Sequence, residues 1–171
     1  VNCDVPGAGT IDVLGTNDAG GIANAGSVVI FEAASRILDD GGTSKVLFGD
    51  GTILQYWNVG ATGGTNLTRR VEMGDGLPGS VSYLANGGGT TNAGQPLLLK
   101  SNLVLRPTYG NVNNNTLTLS GSITEDATPR KLIKTQSALL VLAAANGFTG
   151  GLEISPGTSL AAGTGGTTGT V

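Results

Sequence analysis

The sequence predicts an all-β fold and, within that class, a parallel β-helix or β-solenoid. The chain of 171 residues contains 30 glycines but only six prolines, and 12% of its residues are charged. Its last third, residues 115–160, alternates short apolar segments with glycine and asparagine turns. No segment has the i, i+3, i+4, i+7 apolar spacing of an amphipathic helix. Stacked coils suit this pattern, because each rung needs few inward apolar residues and glycine suits the corners.

The first half of the chain predicts short strands separated by glycine-rich turns. Residues 1–26 are turn-rich, with a brief apolar segment at 11–14. β-Branched and aromatic residues favour strands, which are expected at 27–32, 45–48, 52–57, 67–73 and 80–85. Gly49-Asp50-Gly51 predicts a tight corner or a hairpin. Alternate residues of one segment are expected to share a face: Leu67, Arg69, Val71 and Met73. The Gly/Thr/Asn stretch at 86–95 predicts a long loop.

The second half is more regular and predicts strands at 97–100, 102–106, 116–120, 122–124, 131–134 and 139–142. The clearest alternation, at 116–120, places Leu117 and Leu119 inward and the intervening threonines outward. Farther on, inward anchors are expected about every six residues, at Phe148, Ile154 and Leu160. The whole chain, 1–171, is expected to form a single β-rich domain with a Gly/Thr-rich tail at 161–171.

The strand pattern leaves a second fold open, an antiparallel β-sandwich or jelly roll. Short strands bounded by glycine turns also suit that architecture. In it, residues 49–51 would form a hairpin, whereas in a solenoid they would form a corner between two faces of one coil.

One segment resembles a known repeat. Asn146-x-Phe148-Thr149-Gly150-Gly151-x-x-Ile154-x-x-Gly157-Thr158-x-Leu160 is similar to the autotransporter-associated β-strand repeat, also called the passenger-associated transport repeat. The resemblance is clearest at 95–160, although Ser137-Ala138 and Leu152 depart from the usual pattern. It implies a right-handed parallel β-helix exposed outside a bacterial cell, usually as the stalk or passenger of a surface or secreted protein. The repeat itself carries no catalytic residues.

Composition narrows the classes of function. The chain has no histidine, which removes the commonest general base and metal ligand. Its single Cys3 excludes an internal disulfide but allows a crosslink to a neighbouring chain. A net charge of −3 without a long basic run argues against nucleic-acid binding, and no apolar run is long enough to span a membrane. Starting at Val1 rather than methionine is expected of a mature product or an excised segment.

Four carboxylates in glycine-rich turns are the candidate chemical groups: Asp39, Asp40, Asp50 and Asp75. With Arg69 or Arg70 they would form the acid–base groove of a polysaccharide-cleaving β-helix enzyme. They are also hard oxygen donors for calcium, but neither the EF-hand spacing nor the calcium-binding nonapeptide repeat is present. Turn formation is the simpler explanation. We therefore expect no catalytic residue, no cofactor and no metal ion.

Aromatic and charged residues each have a structural and a functional interpretation. Tyr56, Trp57, Tyr83 and Tyr109 suit core packing, or else a sugar-binding face. Arg69 and Arg70 with Glu72 predict a solvated ion pair on the outward face of a strand. A local basic cluster is too small for nucleic acid and is expected to aid solubility: Arg130, Lys131 and Lys134.

Two further motifs favour a structural interpretation. Gly74-x-Gly76-x-x-Gly79 matches the dinucleotide fingerprint, but no βαβ unit surrounds it and Pro78 favours a turn. Asn66-Leu67-Thr68 and Asn114-Asn115-Thr116 are glycosylation sequons, which arise by chance in a Thr/Asn-rich chain.

Three functions follow from these patterns. The first is a non-enzymatic structural or adhesive module, extracellular or on a bacterial cell surface, with self-association and a surface glycan or protein ligand as candidate partners. The second is a subunit of a self-assembling extracellular filament joined by β-strand pairing between copies. The third and weakest is the polysaccharide-cleaving enzyme, because histidine is absent and aromatic residues are few. We expect the protein not to be an enzyme.

Overall fold

The computed structural model describes residues 9–13, 28–32, 37–38, 44–57, 67–107 and 115–162. This part contains no helix and fifteen strands: β1 Ile11–Val13, β2 Val28–Glu32, β3 Val46–Phe48, β4 Ile53–Trp57, β5 Val71–Met73, β6 Val81–Asn86, β7 Thr90–Ala93, β8 Leu97–Leu99, β9 Asn102–Arg106, β10 Thr116–Leu119, β11 Ile123–Glu125, β12 Leu132–Lys134, β13 Leu139–Leu142, β14 Leu152–Ile154 and β15 Ser159–Ala162. Every pairing between them is parallel. The protein is a parallel β-solenoid, so the all-β prediction is confirmed and the antiparallel sandwich is wrong.

The strands form three sheets, which are the faces of the solenoid. The first sheet has the order β1-β3-β5-β8-β11, the second β2-β4-β6-β9-β12-β14, and the third β7-β10-β13-β15. Three complete turns each contribute one strand to the first, second and third sheets in that order: β5-β6-β7, β8-β9-β10 and β11-β12-β13. Leu97 pairs with Val71 and with Ile123, a step of 26 residues on each side (71, 97, 123). Sequence-distant residues therefore meet on neighbouring rungs.

Inward side chains form a continuous apolar core along the solenoid axis. In β10, Leu117 and Leu119 are buried while Thr116 and Thr118 are half-buried, as the alternation predicts. Leu117 stacks on Leu140, and Leu119 stacks on Leu142, which are also buried. Burial of one such side chain contributes about 1.5–3 kcal/mol. Each rung thus depends on the rungs above and below it for its stability.

The corner at 49–51 joins the first sheet to the second and is not a hairpin. Gly51 has a φ of 77°, a conformation that glycine adopts without steric cost. The Thr52 amide and hydroxyl both donate to the Gly49 carbonyl, at 3.2 and 2.6 Å. A tight turn therefore directs β4 onto the adjacent face of the same coil.

Two secondary-structure expectations were only partly met. Of the segment 67–73, only Val71–Met73 forms a strand, while Leu67 makes an isolated bridge to Ile37; the four predicted residues are nevertheless all buried. The predicted loop at 86–95 contains β7, which pairs with β10. Its sequence, TTNA between glycines, has weak strand character alone, and pairing to the next rung supplies the missing stabilisation.

The expectation that Ile154 is a buried anchor is wrong. Ile154 has the inward register, aligned with Lys134 and, one rung earlier, with Leu105. It is nevertheless 44% exposed. β14 is the last described strand of the second sheet, so no described strand pairs with its far edge.

Candidate functional site

Two Gly-Asp-Gly corners stack directly on each other at the junction of the first and second sheets. The register of Phe48 with Met73 brings residues 49–51 beside residues 74–76. The Asp50 amide donates to Asp75 Oδ2, and the Asp75 amide donates to Asp50 Oδ1, both at 3.1 Å. Each carboxylate therefore crosses the gap to the neighbouring corner. Asp50 and Asp75 lie in corners between strands, as predicted, whereas Asp39 and Asp40 lie outside the described residues.

The two carboxylates differ in their surroundings. Asp75 is exposed, but Asp50 is only 6% exposed. Asp50 Oδ2 is buried and accepts no hydrogen bond. Next to this pair, Gly74 has a φ of 98°, and a Cβ there would overlap the Ser101 side chain of the next rung. Glycine is thus required where the two corners approach the third rung.

The two neighbouring arginines point to different places. Arg69 is buried and donates to backbone carbonyls, from Nε to Leu38 at 3.1 Å and from Nη1 to Gly9 at 3.2 Å. Arg70 Nη2 contacts Glu72 Oε1 at 2.5 Å. The predicted pairing with Glu72 is therefore confirmed for Arg70, whereas Arg69 donates to backbone carbonyls.

Glu72 is the centre of a charge cluster on the outward face of the first sheet. Lys45 Nζ lies 2.9 Å from Oε1 and Lys100 Nζ lies 3.5 Å from Oε2, in addition to the Arg70 contact. Glu72 is buried rather than solvated. Its burial acts to raise the pKa, but hydrogen bonds and charges from Lys45 and Arg70 outweigh that effect and hold the pKa below its usual value.

The asparagine of the repeat-like motif forms side-chain hydrogen bonds to the backbone of its own rung and of the preceding rung. Asn146 Oδ1 accepts the Ile123 amide of the preceding rung at 3.0 Å, and Asn146 Nδ2 donates to the Ala144 carbonyl at 3.0 Å. Two other asparagines make equivalent bridges, Asn102 to the Lys131 amide and Asn115 to the Gly89 amide. These asparagines connect successive rungs where the strand ladder is interrupted.

The Thr-Gly-Gly part of the motif docks on Glu125. Glu125 Oε1 accepts the Thr149 amide at 2.9 Å and its hydroxyl at 2.5 Å, while Oε2 accepts the Arg130 amide at 2.7 Å. A Cβ at Gly150 would overlap the Arg130 backbone. Burial acts to raise the Glu125 pKa, but these hydrogen bonds lower it overall. The motif residues thus have structural roles, and Glu125 is a partner that the motif did not identify.

The basic cluster expected at 130–134 does not form one surface. Arg130 pairs with Asp126, from Nη2 to Oδ2 at 2.8 Å, and Lys131 pairs with Glu153 at 3.1 Å. Lys134 is buried at an inward position of β12, and its ammonium donates to the Gln136 carbonyl at 2.7 Å. Burial lowers the pKa of Lys134. The proposed solubilising role is therefore wrong for Arg130 and Lys134.

Replacing Lys134 with methionine is expected to stabilise the protein, since an unbranched apolar side chain suits that core position without a buried charge. The folded pKa lies below the unfolded value of about 10.4, so wild-type stability increases as pH rises between these two values. The methionine variant lacks this titration. Thermal melts from neutral to alkaline pH should show its advantage shrinking as pH rises; an advantage that is independent of pH would contradict this explanation.

The aromatic residues do not share one face. Tyr56 points into the core, with its ring edge-on to Phe31 at a centroid distance of 6.1 Å, and it accepts a hydrogen bond from Gln95. Trp57, the next residue, is 41% exposed. Tyr83 is buried beneath Arg106, whose guanidinium carbon lies 4.5 Å from the ring centroid. Core packing is confirmed for Tyr56, and Tyr109 lies outside the described residues.

The remaining motifs are turns or fall beyond the described residues. The glycines at 74, 76 and 79 all have positive φ and lie between β5 and β6, with no helix following. The dinucleotide interpretation therefore has no structural basis here. The sequon asparagines Asn66 and Asn114 lie outside the part of the chain that the structure describes, as does Cys3.

Within the described ranges, no group of three or more His, Cys, Asp or Glu residues is placed to hold a metal ion. The same residues include no helix with the length and apolarity needed to cross a membrane. No protein-family model, curated protein or solved structure matches the chain.

Proposed function

We propose that the chain is a non-enzymatic structural or adhesive β-solenoid module of an extracellular or bacterial cell-surface protein. The observation that carries this proposal is the use of polar side chains as connections between rungs. Glu125 binds the Thr149 segment of the following rung, and Asn146 binds the Ile123 amide. Such connections complement a continuous apolar core and make a stiff stack. The resemblance of residues 95–160 to the autotransporter-associated repeat supports the cell-exterior location.

The placement of the candidate catalytic groups also supports a structural role. Arg69 is buried against backbone carbonyls, and Arg70 is engaged by Glu72. Asp50 and Asp75 each accept the other's amide. A glycosidase needs two carboxyl groups that face a substrate groove and are free to exchange protons or attack. The contacts of these four residues therefore favour a structural role over a catalytic role in polysaccharide hydrolysis.

The proposal is tested by surface labelling and by a matched activity assay. Antibodies against the chain should label intact cells of the source organism, and external protease should remove that label while a cytoplasmic marker stays intact. Purified protein should leave acidic and neutral polysaccharides at full length. Labelling only after cell lysis would contradict the location. Chain shortening that Asp50→Asn or Asp75→Asn abolishes would establish the enzyme instead.

A second candidate function is a filament subunit that pairs with copies of itself. The exposure of Ile154 favours it, because an inward apolar residue on the last described strand of a sheet offers an edge for another strand. Negative-stain electron microscopy, with and without reducing agent, tests this candidate. Fibres with a regular axial repeat would support it, and their loss on reduction would assign a crosslinking role to Cys3. Discrete short particles would contradict it.

A further inference from the structure

We propose that the stacked corners at 49–51 and 74–76 bind a divalent cation between Asp50 and Asp75. This inference is independent of the proposed function, because a solenoid of any function could be stabilised at this corner. It rests on the crossing of two carboxylates in one gap and on a buried carboxylate oxygen without a hydrogen-bond donor.

The crossing geometry brings four carboxylate oxygens into one small region. Asp50 Oδ1 lies 3.1 Å from the Asp75 nitrogen, and Asp75 Oδ2 lies 3.1 Å from the Asp50 nitrogen. Paired strands in a sheet are about 4.8 Å apart, so both carboxylates occupy the space between two adjacent rungs. Each carboxylate already accepts one amide hydrogen bond, and a cation placed between the two acidic side chains would add a further favourable interaction for both.

The buried oxygen shows that the amide contacts leave Asp50 incompletely satisfied. Asp50 is 6% exposed, and its Oδ2 is buried without a donor. A buried charged group without compensation is strongly unfavourable. Arg130 interacts with the charge of Asp50, but its guanidinium donates hydrogen bonds to Asp126, from Nε at 3.1 Å and from Nη2 at 2.8 Å. A metal ion bound to Oδ2 would supply the missing interaction.

The chemistry of the donors selects the class of ion. The carboxylate oxygens of Asp50 and Asp75 are hard donors, which calcium and magnesium prefer over softer metals. Only two carboxylates are present, so carbonyl oxygens or water must complete the coordination shell. Affinity should resemble that of weak extracellular calcium modules, with a Kd of about 10⁻⁴–10⁻³ M.

Calcium titration of the whole chain tests the site. After treatment with EDTA and dialysis, the melting temperature of the wild type should rise with added CaCl₂ and saturate in the millimolar range. Equilibrium dialysis should give one bound calcium per chain. Asp50→Asn keeps an oxygen for the Asp75 amide but replaces the unpaired oxygen, so it should lose the calcium response while remaining at least as stable in EDTA. Asp75→Asn should weaken the response in the same direction.

Asp12→Asn is the matched control, because it removes one exposed carboxylate from the first sheet without altering the corner. This variant should retain the wild-type calcium response. No calcium-dependent shift in the wild type would overturn the proposal, as would equal responses from Asp12→Asn and both corner variants. If Asp50→Asn does not fold, dialysis stoichiometry of the wild type and of Asp75→Asn decides the question.

Discussion

Leu119→Asp is expected to abolish the cooperative unfolding transition, whereas Thr118→Ala should shift the melting temperature only slightly. Leu119 is buried between rungs, in register with Ala93 and Leu142. Loss of a core leucine side chain costs about 2–5 kcal/mol, and burial of an ionised carboxylate adds several kcal/mol more. This total is comparable to the whole stability of a typical domain, roughly 5–15 kcal/mol.

The neighbouring Thr118 provides the control for Leu119. Thr118 points outward on the same strand and is half-buried. Its pairing partners are Asn92 and Val141, and the backbone ladder to them survives truncation to alanine. Circular dichroism melts of both variants measure the difference. Equal tolerance at the two positions would refute the inward and outward assignment of β10.

Gly121→Ala should destabilise the protein by much more than Gly147→Ala. A Cβ at Gly121 would overlap the Gln95 carbonyl of the preceding rung and lie 2.7 Å from the Gly94 oxygen. These are backbone atoms within a stacked ladder, so relief requires the two rungs to move apart. Overpacking of a well-packed interior costs about 1–3 kcal/mol. Because a whole rung must be displaced, the loss of stability in this variant should lie at the upper end of that range.

Gly147 is the matched control for the glycine prediction. Its nearest neighbour for an added Cβ is Thr124 Cγ2 at 3.8 Å, an ordinary van der Waals distance. Alanine there also reduces the conformational freedom of the unfolded chain, which offsets small losses. Chemical denaturation should give a clearly lower midpoint for Gly121→Ala only. Similar midpoints would mean that the rungs at 95 and 121 are not in close contact.

The all-β class was predictable because its determinants are local. Alternation in β10, glycine turns at 49–51 and the absence of helical periodicity each depend on residues that are adjacent in the sequence. The cross-rung features were not predictable in this way. β7 exists through its pairing with β10, and Glu125 acquires its role from Thr149. A single sequence does not reveal which residues about 25 positions apart will stack.

The candidate site likewise combines local features that the sequence predicts with contacts between rungs that it does not. The Gly-Asp-Gly corners were visible in the sequence as turns, but the mutual carboxylate–amide contacts depend on the register of Phe48 with Met73. Lys134 was expected on the surface because lysine is seldom fully buried, yet its strand position directs it inward. Ile154 was expected inside on its apolar character, and its place on the last described strand leaves it exposed.

Disulfide trapping between two rungs tests the central claim, a parallel in-register stack, most directly. In a Cys3→Ser background, Thr118→Cys with Val141→Cys pairs two outward residues that are register partners. Paired strands place such residues within the Cα separation of about 4.4–6.8 Å that a disulfide requires. The control pair, Thr118→Cys with Ile133→Cys, lies on two different sheets. Rapid intramolecular oxidation of the first pair alone is predicted, and failure of that pair or equal oxidation of both would contradict the stack.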